Sequence, residues 1–93
     1  MFKKEVQAGI AVLDKHYGGR GWVQQVNWDV LDMRFSDKCI LGQLFGGYWD
    51  GADSLNIDGS SCGFDLTTKH FDCWNALEAA WKSALGIKTE ESK

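Results

Sequence analysis

Proline is absent from this 93-residue chain, so helix ends must be set by glycine and polar caps rather than by ring-fixed backbone. No apolar run approaches the roughly 20 residues of a membrane-crossing helix. The start, MFKKEVQAGIAVLDKH, brackets its apolar positions with Glu5 and Asp14, and no secretory leader is expected there. No close Cys-x-x-Cys pair occurs. The cysteines, Cys39, Cys62 and Cys73, are odd in number and point to free thiols in a reducing cytoplasm. Cations are also scarce where a phosphate binder would gather them. From Asp29 to Asp72 the aspartates Asp29, Asp32, Asp37, Asp50, Asp53, Asp58, Asp65 and Asp72 face only Arg34, Lys38 and Lys69, and the formal net charge is −3. Nonspecific nucleic-acid affinity needs clustered Lys and Arg, so no nucleic-acid partner is expected.

What the chain has in abundance is aromatic surface: five Trp, five Phe and two Tyr. A domain this short buries only somewhat over ~60% of the surface its unfolded form exposes. Each buried aromatic removes roughly 150–250 Å² from water, so these rings are first a folding resource. Any that remain outside mark a partner surface. The acidic middle serves solubility, or meets a basic partner, or imitates the charge of nucleic acid.

Phe2, Val6, Ile10, Leu13 and Tyr17 follow one helical face, and Gly18 with Gly19 supplies a left-handed stop. The stretch WVQQVNWDVLDM fits either a short helix followed by a turn, with Asn27 as a cap, or a single stripe through Trp22, Val26, Val30 and Met33. Ser36 and Asp37 read as the N-cap and acidic first turn of a long helix from about 37 to 49. Residues 50–65 form the longest irregular stretch, with a turn of helix around Ala52 to Leu55. Asp65 or Thr67 opens a last helix whose face carries Phe71, Trp74, Leu77, Trp81 and Leu85, ended by Gly86. No run alternates like a strand. The expected fold is an all-α single domain over residues 1–86, three main helices with short accessory turns, followed by a polar tail at 87–93.

Glycines inside the segment CILGQLFGGYWDG need a reason, since each costs roughly 1 kcal/mol against alanine in a helix interior. Small residues four apart, Gly42 and Gly46, predict close approach to that helix, with Trp22, Trp28 or a Trp of the last helix as occupant. The rival reading leaves the groove open for a ligand or partner.

Several motifs imitate chemistry. Gly59 to Gly63, GSSCG, matches the G-x-S-x-G nucleophile pattern at Ser61, which requires a strand before it and a helix after it. Counting from Asp58 as in a calcium loop puts Gly63 at the glycine position, but Lys69 stands where a bidentate Glu belongs. Cys39, Cys62, His70 and Cys73 count out a zinc set, with His70 and Cys73 at i, i+3. A Cys73 pair with His70 or His16 offers a thiol nucleophile, without an orienting third group. A helix-turn-helix reader is the other structural option, although the last helix presents Asp72, Asn75, Glu78 and Lys82 rather than a basic face.

The run Cys39-Ile40-Leu41-Gly42-Gln43-Leu44-Phe45-Gly46, with Tyr48, Gly51, Gly63-Phe64-Asp65 and Ala80-Trp81, resembles a group of small uncharacterised proteins of actinobacteriophages and their mycobacterial hosts. The resemblance spans most of residues 6–85. It implies a phage-type accessory protein in the host cytoplasm, acting on a host or phage protein, and carries no activity. Members of that group often have another cysteine just before the Cys39 position; here Ser36, Asp37 and Lys38 stand there, which weakens the metal reading.

The expectation is a non-enzymatic protein–protein interaction module without cofactor or metal, with no membrane partner, monomeric or weakly self-associating. Its contact region is Trp49, Asp50, Asp53, Leu55, Ile57, Asp58 and Phe64, apolar anchors among carboxylates. The same apolar residues also suit a closed core. The alternative from another class is a metal- or thiol-dependent protein built on Cys39, Cys62, His70 and Cys73.

Overall fold

The first helix forms where the apolar stripe is cleanest. In the computed structural model, which describes residues 2–66 and 73–87, α1 runs Lys3–Tyr17 and buries Val6, Ile10 and Leu13. Gly18 ends it at φ 71°, its N–H donating to the Asp14 carbonyl. The WVQQ stretch takes the first of its two forms, a 3₁₀ turn over Gly21–Gln25. Trp22, Val26 and Met33 are buried while Val30 is exposed, so the single-stripe helix does not form.

The long helix expected from 37 to 49 is two helices. α2 is Ile40–Phe45 and α3 is Tyr48–Leu55. Gly46 sits at φ 89°, a left-handed conformation that stops α2, and no atom lies within 4 Å of where its Cβ would be. It is a helix stop and not half of a small-residue groove. Gly42 does mark close approach, but the neighbour is backbone: a Cβ there would strike the Ser36 carbonyl and lie 2.8 Å from Asp37 Cα. The three nearest atoms all belong to the backbone of the loop before α2 and none to an indole. The N-cap also moves, from Ser36 to Cys39, whose Sγ accepts from the Gly42 N–H at 3.2 Å. Gln43 then ties the preceding loop down, accepting from Asn27 N–H and donating to the Lys38 carbonyl at 2.9 Å.

A second 3₁₀ turn, Gly59–Cys62, is capped by the Asp58 carboxylate. α4 spans Trp74–Leu85 and ends at Gly86, φ 71°. It begins later than the sequence predicts; Thr67, Phe71 and the other residues between 67 and 72 lie outside the described residues, as does 88–93 of the expected tail. No strand occurs among the described residues, and the fold is a small all-α domain. No helix among them is long and apolar enough to cross a membrane.

The core is organised around Trp81. Its ring stacks on Phe64 at 5.2 Å and meets Trp22 edge-on at 6.4 Å, and all three are fully buried. Each buried indole N–H is used: Trp81 donates to the Gly63 carbonyl at 2.7 Å and Trp22 to the Asp14 carboxylate at 2.9 Å. Among the described residues no buried side-chain polar atom is left without a partner. The close approach that lets Trp81 reach this position is at Gly9 in α1. A Cβ on Gly9 would lie 2.7 Å from Trp81 Cη2 and would strike the Cys62 carbonyl.

That geometry separates two glycines that look alike in sequence. Gly9→Ala is expected to destabilise by about 1–3 kcal/mol or more through overpacking against a buried ring and a backbone carbonyl. Gly46→Ala, strained only in its own backbone, is expected to cost on the order of 1 kcal/mol. Urea midpoints at constant slope measure both. A Gly9→Ala variant as stable as the parent would contradict the contact.

Candidate functional site

The Gly46–Gly47 break determines where the next two rings point. Gly47 is extended at φ 177°, and α3 then starts with Tyr48 and Trp49 in its first turn. Tyr48 turns inward: a Cβ on Gly59 would collide with its hydroxyl, so glycine there makes room for the phenol. Trp49 turns outward and is 72% exposed, the most exposed large apolar side chain described. The two rings lie 5.0 Å apart at 82°. Packing on the other side of α3 is tight, since a Cβ on Gly51 would lie 2.8 Å from Leu41 Cβ and 2.9 Å from the Phe45 ring. Trp49 therefore stands on a fixed base.

A second exposed ring lines one cleft with Trp49. The loop over 32–39 is closed by turns, Phe35 N–H to Asp32 carbonyl at 3.2 Å and Cys39 N–H to Phe35 carbonyl at 3.0 Å. Phe35 projects from this loop at 49% exposure. The cleft, of about 200 Å³, is walled by Phe35, Tyr48, Trp49 and Trp74 over the buried Met33, Cys39 and Phe64. Its polar rim is Arg34, Ser36 and Asp65.

Charges at the rim are unevenly satisfied. Arg34 meets Asp32 through two parallel bonds, Nε to Oδ1 at 3.1 Å and Nη2 to Oδ2 at 3.0 Å. This bond holds the Asp32 carboxyl below its ordinary value. Arg34 and Lys38 both approach the Phe35 ring, at 5.7 and 5.3 Å from its centroid. Burial pushes the Tyr48 phenol up to about 12, helped by the charge of Asp65, by the hydrogen bond Tyr48 gives that carboxylate, and by the charge of Asp58.

The sequence-predicted contact residues divide. Trp49, Asp50 and Asp53 are exposed on α3, and Leu55 and Ile57 are half-buried. Asp58 is exposed, yet its carboxylate already accepts from the Ser60 N–H and the Ser60 and Ser61 hydroxyls. Phe64 is 1% exposed and stacks on Trp81, so it is a core residue and leaves the contact set. Phe35, Tyr48, Asp65 and Trp74 are brought to the cleft without having been singled out. A signal for Phe35 was present, an aromatic flanked by cations in Arg34-Phe35-x-x-Lys38.

Residues proposed for catalysis or metal binding have other positions. Cys39 and Cys62 are buried, and burial raises both thiols. Cys73 is half-buried at the N-cap of α4, and His70 lies outside the described residues. No group of three ligating side chains able to hold a metal occurs among the described residues. His16 packs against the Tyr17 and Phe45 rings. Ser61 sits in a 3₁₀ turn with its hydroxyl on Asp58, not on the strand-to-helix turn that a nucleophile elbow requires. On α4, Asn75 is exposed, while Glu78 accepts from the Met33 N–H at 3.1 Å.

A small all-α domain presenting an aromatic cleft is the class these observations define. No protein-family model, curated protein or solved structure matches the chain.

Two measurements follow from the burial of these groups. At neutral pH a thiol reagent is expected to label Cys73 first and to reach Cys39 and Cys62 only as the protein unfolds; rapid native-state labelling of Cys39 would refute its place beneath the cleft. Because the folded Tyr48 phenol lies above its ordinary value of 10.0, the stability it confers is complete below that pH and is lost as pH rises toward about 12. Tyr17, also raised by burial, adds to the same loss. Urea midpoints at pH 9 and about 11.5 are expected to fall in the parent and to fall less in Tyr48→Phe.

Proposed function

We propose that this protein is a non-enzymatic interaction module that binds another protein through the cleft between Phe35 and Trp49. The observation that carries the reading is the 72% exposure of Trp49 in the first turn of α3, beside a cleft that a second exposed ring, Phe35, also lines. Leaving an indole in water forgoes burial that a chain this short needs for folding. Tryptophan is the residue most enriched among interface anchors, and a pocket beside it ringed by polar groups is how such anchors are used. Asp50 and Asp53 continue from Trp49 along α3 and extend the surface as a polar rim.

The resemblance to phage and mycobacterial proteins supplies the setting of the proposal: a phage-type accessory protein in the cytoplasm of a bacterial host, acting on a host or phage protein. The buried thiols favour this reading over a thiol enzyme, since burial keeps Cys39 and Cys62 protonated and out of reach.

Immobilised protein is expected to retain a specific partner from host lysate, and Trp49→Ala is expected to lose it with a melting temperature within a few degrees of the parent, because exposed side chains contribute roughly ±0.5 kcal/mol to folding. An unchanged bound set in Trp49→Ala and Phe35→Ala would refute the cleft as the contact surface.

A further inference from the structure

Resting on that reading, we propose that the cleft recognises a cation, the lysine or arginine side chain of a basic peptide segment in the partner. Three observations converge. The first is the ring arrangement. Tyr48 and Trp49 meet edge-on at 82° with centroids 5.0 Å apart, and both line the cleft with Trp74 and Phe35. Trp49 is 72% exposed and so keeps most of its ring open, and an open tryptophan face attracts ammonium and guanidinium groups more strongly than any other aromatic residue.

The second is that the cleft's own residues already behave this way. Arg34 and Lys38 approach Phe35 at 5.7 and 5.3 Å. Among the described residues no cation lies over Trp49, although its face is the larger and the more exposed. The Phe35 wall is served from within the chain, and the Trp49 wall is open to a partner.

The third is charge. Among the described residues the charged groups that line the cleft are Arg34 and Asp65. Arg34 is neutralised by its two-point bond to Asp32 and has that edge of its guanidinium occupied. Asp65 lines the cleft and is close enough to Tyr48 for a hydrogen bond. A carboxylate in a cleft lined by aromatic rings favours a positive occupant and disfavours an anionic one, which decides against a phosphate or an acidic peptide.

The test uses the full chain and short capped peptides of alternating glycine and arginine, with lysine, citrulline and glutamate versions as comparators. Binding is followed by NMR on the indole N–H signals of Trp49 and Trp74, identified by Trp49→Phe and Trp74→Phe, the Trp74 signal reporting binding in the Trp49 variants. Arginine and lysine peptides are expected to shift the Trp49 signal with a Kd on the order of millimolar. Citrulline, isosteric with arginine but uncharged, and glutamate are expected to leave it in place. Trp49→Leu, which keeps apolar bulk without a π-face, and Asp65→Asn are each expected to weaken binding about ten-fold, with Trp49→Phe intermediate. Dispersed spectra of each variant establish that it is folded. Equal binding of citrulline and arginine peptides, or no loss in folded Trp49→Leu and Asp65→Asn, overturns the proposal. Trp49-dependent capture of a partner with no response to either cationic peptide overturns the cation and leaves the interaction module standing. Peptide binding without any Trp49-dependent capture supports the cation site and refutes the module.

Discussion

Everything in this fold depends on one ring being allowed close to one helix. Trp81 lies on α1 where Gly9 has no side chain, and from there it reaches the Gly63 carbonyl with its N–H, Phe64 with its face and Trp22 with its edge. Dispersion contacts are individually weak, so a planar ring gains most when both faces and its rim are covered at normal density. Phe64 is thereby fixed from below. The same Phe64 is part of the floor of the cleft, so the keystone of the core also supports the surface above it.

Legibility followed side-chain spacing and failed where the decisive atoms were backbone. α1 was readable because Val6, Ile10 and Leu13 recur at helical spacing and Gly18 stops them. The α2–α3 pair was not, because Ile40, Leu41, Leu44, Phe45, Tyr48 and Trp49 keep one helical phase across Gly46 and Gly47. Glycine contributes nothing to an apolar pattern, and a left-handed Gly46 cannot be told by periodicity from a helical one. The same blindness hid Gly9: it sits inside a good helix, and only the tertiary contact with Trp81 explains it. Of the residues grouped from sequence as contacts, Trp49 and the buried Phe64 line the cleft while Asp50 and Asp53 are exposed on α3 outside its lining, since a residue in a polar segment looks alike whether it faces inward or outward. Asp65 and Trp74 were missed because nothing local relates them to Trp49; the chain brings them together across three elements.

Electrostatically the molecule is divided along similar lines. Two of its carboxylates hold arginines: Asp14 takes the Trp22 N–H and the Arg20 guanidinium, and Asp32 takes Arg34. These pairs lower the acids concerned and balance the cations beside them. Along 50–65 stand Asp50, Asp53, Asp58 and Asp65 with no lysine or arginine among them, in the segment that follows Trp49. A stretch of like charge without cations of its own gives the surface beside it a local negative field.

The glycine pair at 46 and 47 has a consequence for substitution. It hands Trp49 to the outside while Gly51 and Ala52, on the next turn, carry the packing of the same helix. Substitution at the outer position alters what the surface meets without touching what holds the domain together. Replacement at position 49 therefore falls on a side chain that the interior does not use, and a chain with so small an interior has few other large side chains of which that holds.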